Sequence, residues 1–218
     1  MIVTIPKTHE EWLQARKYGL GASDAGAVLG VNPWKTNIEL WEEKTGRRAA
    51  ADISDKPQVK YGHEAEQYIR GLFALDHPEL VVTYESPYKI IRSDEYRFIF
   101  CTPDAELEDK ETGRHGGLEI KTTEIMNPRQ WQEWDGRIPE TYYAQVCHQM
   151  LAAGWEFVWL RAQIKYTSMY GENRTQMRDY YIARWEVEDD IKTLQEAEIG
   201  FWRHVTEGTP PALILPEI

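Results

Sequence analysis

One short run of residues constrains this chain more than any other part of its sequence. Residues 117–121, Gly-Leu-Glu-Ile-Lys, place an acid and a lysine inside an otherwise apolar segment. In a β-strand, side chains alternate between two faces, so Glu119 and Lys121 share one face while Ile120 points into the core. Asp104 follows Pro103, which favours extended geometry at the residue before it and helps to set a turn. The spacing therefore predicts that two carboxylates and a lysine meet where a turn reaches the middle of a strand.

These residue types suit the hydrolysis of a phosphodiester. Such a site needs hard oxygen ligands for Mg²⁺ and a cation beside the attacking water. Each pattern is weak alone, because Pro-Asp pairs are common in loops and Glu-x-Lys often marks a solvated face. A third acid, Glu66, stands three residues before Ile69 at the edge of a predicted apolar helix stripe. Glu66 is therefore either a partner for a cation or, like Glu64, a solvated surface acid.

A second polar group lies on a predicted helix over residues 139–153. Gln145 and Gln149 are one helical turn apart, and His148 is adjacent to Gln149. His148 is a candidate metal ligand or base, although a lone histidine on an amphipathic helix is more often structural.

Composition excludes several classes of protein. The net charge of −11 over 218 residues argues against a broad basic surface, but a nuclease can still concentrate Lys and Arg in a channel. Two cysteines, Cys101 and Cys147, are too few for a four-cysteine zinc or iron–sulfur site built from this chain alone. Residues 1–7 are too short for a signal peptide, and no apolar run has membrane-spanning length. We therefore expect a cytoplasmic protein, and the absence of a linker predicts one domain over residues 1–218.

Capping signals and periodicity predict the order of the elements. Thr8 with Glu11 opens a helix to about residue 18, Ser23 or Asp24 caps a short helix at 25–29, and Thr36 caps a third. Further helices are predicted at residues 59–75 (apolar stripe Tyr68, Ile69, Leu72 and Phe73), 128–134, 139–153 and 188–206. Strands are predicted at residues 80–85, 88–92, 98–102, 117–122, 157–166 and 179–186, with loops at 47–57 and 109–116 and an irregular tail after Gly208. This order predicts a mixed sheet covered by helices on both faces.

Several of these residues form a series of motifs in a fixed order. The series is Trp12-Leu13-Gln14-Ala15-Arg16, Gly21-Ala22-Ser23-Asp24, Pro33-Trp34, Gly62 to Glu66, Thr102-Pro103-Asp104, Glu119-Ile120-Lys121 and Tyr143-Ala144-Gln145. In this series the chain resembles the phage lambda exonuclease family, also called YqaJ-like viral recombinases, of the PD-(D/E)xK nuclease superfamily. Linked motifs in the right order are far more specific than any single motif.

The resemblance implies an α/β (α+β) fold with a restriction-endonuclease-like core, a central mixed β-sheet flanked by helices. It implies a single nuclease domain whose N-terminal helices, about residues 8–46, contribute to DNA-end binding. The implied activity is a Mg²⁺-dependent 5′→3′ exonuclease that uses two ions, for which Mn²⁺ can substitute. It degrades one strand of linear double-stranded DNA and leaves a 3′ overhang for recombination. Implied partners are a single-strand annealing protein and two further copies in a homotrimer, in a phage or prophage setting within a bacterial host.

The resemblance also implies roles for individual residues. The metal ligands would be Asp104, Glu119, the carbonyl of Ile120 and, for a second ion or its water, Glu66. Lys121 would position the attacking water and help to deprotonate it, and Gln145 would orient a ligand or that water. Arg16 and Ser23 would bind the 5′-phosphate of the DNA end, because an arginine fork and a helix start both suit an anion.

Other interpretations stay open on the residues alone. Arg16 could be a surface residue of an amphipathic helix, and Ser23 a plain helix cap. A restriction endonuclease or repair nuclease would share the same acids and lysine, and a non-catalytic DNA-end-binding protein would share the fold. Candidates for a basic DNA channel are Lys35, Lys60, Arg129 and Arg137.

Overall fold

The structure, a computed structural model, describes residues 1–215, which form seven α-helices and nine β-strands. The helices are α1 (His9–Lys17), α2 (Ala25–Val28), α3 (Asn37–Lys44), α4 (Pro57–Asp76), α5 (Pro128–Glu133), α6 (Glu140–Ala153) and α7 (Glu188–Glu207). The strands are β1 (Ile2–Thr4), β2 (Leu20–Gly21), β3 (Leu80–Thr83), β4 (Ile90–Arg92), β5 (Ile99–Cys101), β6 (Ala105–Asp109), β7 (His115–Ile125), β8 (Phe157–Thr167) and β9 (Asn173–Ala183). Short 3₁₀ turns lie at Ala22–Asp24 and Arg184–Glu186.

The strands form two mixed sheets. The central sheet has the order β3-β6-β7-β8-β9, with β7 and β8 parallel and the other neighbours antiparallel. The second sheet has the order β1-β4-β5-β2, with β2 and β5 parallel. The predicted α/β class with a mixed sheet flanked by helices is confirmed. The strands predicted near residues 90 and 99, however, belong to the second sheet, where Ile91 pairs with Cys101.

Helices cover both faces of the central sheet. On one face, α4 buries Ile69 and Phe73 against Leu118 and Ile120 of β7. On the other face, α6 belongs to a larger cluster that includes Leu160 of β8. This larger cluster also contains residues of β4 and β5, so the two sheets share one core. Strand β7 is therefore held between α4 and α6, and its alternate residues face different helices.

Two of the predicted helix starts are confirmed by their caps. The Thr8 side chain accepts a hydrogen bond from the backbone N–H of Glu11. At α3, Thr36 and Glu39 cap each other's backbone N–H groups. These contacts span three residues, which is why they are readable from sequence.

Other sequence-based expectations were wrong. In α4, Tyr68 and Leu72 are 69% and 50% exposed, so the buried stripe is narrower than predicted. The last strand ends at Ala183, because residues 184–186 turn into a 3₁₀ helix. Strand β6 was missed since its alternating acids, such as Glu106, disguise a buried face at Ala105 and Leu107. Strands β1 and β2 were also missed. Among residues 1–215, none of the helices has the length and apolar character to cross a membrane.

Candidate active site

A pocket of about 250 Å³ lies between the N-terminal half of α4 and the middle of β7. Its lining includes Glu66 from α4, Asp104 from the turn between β5 and β6, and Glu119, Ile120 and Lys121 from β7. These residues come from three separate parts of the chain. The structure thus brings together the acids and the lysine that the sequence singled out.

Asp104 is attached directly to the middle of β7. Its Oδ2 accepts a hydrogen bond from the backbone N–H of Ile120 at 2.7 Å. Burial and the negative charges of Glu119 and Glu66 raise the pKa of Asp104 well above its usual range, against the opposing effect of Lys121. The pocket lining includes three acids and one lysine, so a bound cation would stabilise the ionised form of Asp104.

The Glu119 side chain is only 4% exposed, and two amide donors and one ammonium group compensate for its burial. Its Oε1 accepts from Gln145 Nε2 at 2.6 Å and lies 2.5 Å from Lys121 Nζ. Its Oε2 accepts from the Gln149 side-chain amide. Because β7 alternates, Glu119 and Lys121 both face α6, where these glutamines lie one turn apart. The sequence motifs assigned no role to Gln149. Its one-turn spacing from Gln145 is the sequence feature that could have indicated one.

Lys121 is enclosed by polar and aromatic groups. Its Nζ donates to Gln145 Oε1 at 2.9 Å and lies 4.9 Å from the ring centre of Tyr142. Burial alone would lower the pKa of Lys121, but the Glu119 carboxylate, with smaller contributions from Tyr142 and Asp104, raises it above the usual range. The lysine is therefore an ammonium group directed at the acidic side of the pocket.

Glu66 faces the pocket from α4 beside Arg70, which none of the sequence motifs includes. Arg70, one turn further along α4, pairs with Glu66 at 3.1 Å and donates to the backbone carbonyl of Asp104 at 2.7 Å. Its guanidinium also lies 3.6 Å from the ring centre of Tyr84. Arg70 therefore connects the helix that carries Glu66 to the turn that carries Asp104. The four-residue spacing between Glu66 and Arg70, which is typical of an ion pair on a helix, is the sequence feature that could have indicated this contact.

The donor set suits a magnesium ion better than a softer metal. Among residues 1–215, no three His, Cys, Asp or Glu side chains form a ready-made group of metal ligands. Mg²⁺, however, commonly binds through one or two carboxylates and keeps several waters. Asp104, Glu119 and the Ile120 carbonyl offer only oxygen atoms, and the pocket holds three acids against one lysine. These residues fit a hard divalent cation.

His148 lies outside this pocket. It is fully buried, with Nδ1 at 2.6 Å from Glu198 of α7 and Nε2 at 2.8 Å from the Phe100 carbonyl. These contacts tie α6 to α7 and to β5. The structural interpretation of His148 is therefore correct, and its candidacy as metal ligand or base was wrong.

A second candidate site surrounds Arg16 at the end of α1. Its guanidinium lies 4.5 Å from the ring centre of Trp12 and 5.6 Å from that of Phe100. Burial lowers the pKa of Arg16, while the charge of Asp24 opposes this effect. Asp24 is itself engaged by Lys44 Nζ at 2.7 Å and by the Gly21 N–H at 3.0 Å. The arginine fork is thus held in place by aromatic rings rather than by a carboxylate.

Ser23 is exposed in the 3₁₀ turn Ala22–Asp24. This turn directly follows Gly21, whose backbone lies close to the Arg16 guanidinium group. Asp24 occupies the N-cap position of α2, one of the two positions predicted, but its side chain makes no capping hydrogen bond to the helix. The Trp12 indole N–H donates to Thr102 Oγ1 at 3.4 Å, two residues before Asp104. This contact connects the region around Arg16 to the turn that carries Asp104.

The four residues suggested for a basic DNA channel are mostly engaged in contacts within the chain. Lys35 pairs with Glu43 at 2.6 Å, and Lys60 pairs with Asp55 at 2.8 Å. Arg137 donates to a backbone carbonyl, and Arg129 is exposed. The described residues therefore give no continuous basic path through these four positions.

The fold places this chain among proteins built like known exonucleases. It is similar to the alkaline exonuclease LHK-Exo of Laribacter hongkongensis, with a TM-score of 0.60, 16% identity, and coverage of 91% of this chain and 95% of that one. The same enzyme in complex with dAMP gives a TM-score of 0.59 at 17% identity, with the same coverage. A phage-related exonuclease of Haemophilus somnus 129PT gives 0.51 at 14% identity, covering 90% of this chain and all of the other. At these identities the likeness concerns the fold.

Sequence comparison defines the family. The YqaJ-like viral recombinase domain matches residues 11–156, and the chain belongs to this family. It is also 32% identical over 208 residues to the uncharacterized protein YqaJ of Bacillus subtilis (strain 168). That match covers 94% of this chain but 59% of the relative, so the chain spans about three fifths of the relative's length. The family resemblance inferred from the motif series is confirmed.

Proposed function

We propose that the chain is a Mg²⁺-dependent exonuclease that degrades the 5′-ended strand of linear double-stranded DNA and leaves a 3′ overhang. The observation that carries the proposal is the convergence of Asp104, Glu119 and Lys121 in one pocket of a viral recombinase domain. The fold supports it, since similar solved structures are an alkaline exonuclease, also solved with dAMP, and a phage-related exonuclease.

In this proposal Asp104, Glu119 and the Ile120 carbonyl hold one Mg²⁺, for which Mn²⁺ can substitute, and Glu66 holds a second ion or its water. Bound Mg²⁺ would activate water and offset charge on the phosphate oxygens. The protein's own contribution is to keep the oxygens aligned. Asp104 is fixed by the Ile120 N–H, and Glu119 is fixed by two glutamine amides.

Lys121 positions the attacking water and offsets the charge that develops on the phosphate. Gln145 holds the lysine and Glu119 at a set separation, because its amide oxygen accepts from Lys121 while its nitrogen donates to Glu119. An ammonium fixed in this way is preorganised and needs no rearrangement during the reaction.

Arg16 and the exposed Ser23 bind the 5′-phosphate of the DNA end. The aromatic rings on Arg16 orient its planar fork, which can contact two phosphate oxygens. For the whole protein, we propose a homotrimer that acts with a single-strand annealing protein in the cytoplasm of a bacterial host of the phage.

Digestion of linear duplex DNA labelled at either 5′ or 3′ end, with Mg²⁺ or with EDTA, tests the proposal. We expect Mg²⁺-dependent release of the 5′ label first, and no cutting of a covalently closed plasmid. Cleavage of the closed plasmid would instead indicate an endonuclease. DNA binding without any cleavage in Mg²⁺ would indicate a non-catalytic end-binding protein.

A further inference from the structure

We propose that Gln149 is a positioning residue that sets the oxygen of Glu119 available to a metal ion, Oε2, whereas Gln145 holds Lys121 and the other oxygen, Oε1. This inference rests on the proposed function, since it concerns metal binding in the same pocket. It assigns separate tasks to two glutamines that lie one turn apart on α6.

The assignment follows from the acceptor capacity of the Glu119 carboxylate. Each carboxylate oxygen has two lone-pair directions. Oε1 accepts a hydrogen bond from Gln145 at 2.6 Å and lies 2.5 Å from the Lys121 ammonium group, whose positive charge repels a metal cation from this oxygen. Oε2 accepts from Gln149, which leaves one direction open. Oε2 is therefore the oxygen with room for a cation, and Gln149 is the group that orients it.

The surroundings of Gln149 argue that its amide is retained for this contact. Gln149 is fully buried, and its own Oε1 has no hydrogen-bond partner among the described residues. A buried amide with an unpaired oxygen lowers stability compared with an apolar side chain of similar shape. A residue needed only for packing would be better replaced by methionine or leucine here.

Gln145 differs in both respects. It is partly exposed, and both ends of its amide are bonded, the oxygen to Lys121 and the nitrogen to Glu119. Loss of Gln145 therefore disturbs the lysine and Oε1 of Glu119, while loss of Gln149 disturbs only Oε2. The two variants Gln149→Met and Gln145→Met form a matched pair, because they make the same change one turn apart on the same helix.

The first readout needs no DNA and no turnover. Isothermal titration of the full chain with Mn²⁺ should show metal binding weakened by roughly 10–100-fold in Gln149→Met, the range for residues that orient metal ligands. Without metal, the Tm of Gln149→Met should fall by only a few degrees, because Oε2 loses its donor while Oε1 keeps Gln145 and Lys121. A large fall in Tm in both Gln149→Met and Gln149→Leu would overturn the inference, because it would show a structural role.

The second readout is the Mg²⁺ dependence of duplex digestion. Gln149→Met should recover most of the wild-type rate when Mg²⁺ is raised, whereas Gln145→Met should stay slow at every concentration. Wild-type affinity for Mn²⁺ in Gln149→Met would overturn the inference and leave the nuclease proposal intact. If the wild-type chain itself neither binds Mn²⁺ nor cuts DNA, both the proposed function and the inference fail.

Discussion

The buried pair of His148 and Glu198 offers the sharpest test of what holds the site-bearing helix in place. Both side chains are fully buried, and they join α6, which carries the glutamines of the pocket, to α7. His148 also donates to the Phe100 carbonyl, while Glu198 Oε2 already lacks a partner among the described residues. Replacement of His148 by leucine would leave a buried carboxylate and a buried carbonyl without their donor.

The expected cost is large because the remaining charge has no compensation. Removing one partner of a buried ion pair typically costs about 3–5 kcal/mol. For a domain of this size, each 1 kcal/mol lowers Tm by about 2–4 °C, so the Tm of His148→Leu should fall by roughly 6–20 °C. This is a substantial part of a typical stability of about 5–15 kcal/mol.

Differential scanning calorimetry and urea unfolding measure this loss, and a double variant is its control. Replacing both residues, His148→Leu with Glu198→Leu, removes the unpaired charge together with its partner, so most of the lost stability should return. A free energy of unfolding of the single variant within about 1 kcal/mol of the wild-type value would refute the reasoning, since loss of the partner of a buried carboxylate should cost more than this. A double variant as unstable as the single one would refute it equally.

The same pair predicts a pH dependence of stability. Burial lowers the pKa of His148, but the charge of Glu198 and the hydrogen bonds to Glu198 and Phe100 outweigh this effect, so the pKa is raised. A raised folded-state pKa adds stability that is fully present below the unfolded value of about 6.5 and is lost as pH rises through the folded value. The free energy of unfolding of the wild type should therefore decrease as the pH rises through the raised pKa of His148. The free energy of unfolding of His148→Leu should lack this pH dependence.

Three further predictions concern the two sites and the strand that carries the acid. Lys121→Ala should abolish cleavage in single-turnover digestion while duplex binding, measured by fluorescence anisotropy, is largely retained; wild-type turnover would remove the lysine from the mechanism. Arg16→Gln should erase the preference for a 5′-phosphorylated over a 5′-hydroxyl end, and equal wild-type rates on both ends would discard the phosphate pocket. Gly117→Ala should destabilise the protein by about 1–3 kcal/mol, because its Cβ would come within 2.1 Å of the buried Trp155 ring. Its control is Gly71→Ala in α4, which meets nothing within 4 Å and should add about 0.5–1 kcal/mol.

The elements that depend on neighbouring residues were predictable without a structure. The caps at Thr8 and Thr36 act over three residues, and the alternation of β7 sets the shared face of Glu119 and Lys121. The ordered motif series was enough to assign the family, because it combines many weak local signals. These features follow from backbone periodicity and local hydrogen bonds, which any sequence displays directly.

The remaining parts of the site depend on contacts between distant segments. Gln149 reaches Glu119 across thirty positions, and Arg70 reaches the Asp104 carbonyl across thirty-four. His148 meets its carboxylate fifty positions away, so its structural role became visible only once α6 had packed against α7. No local periodicity encodes which turn of α6 lies over which residue of β7. That alignment comes from the packing of the shared core, and it converts a readable list of acids, amides and a lysine into one pocket.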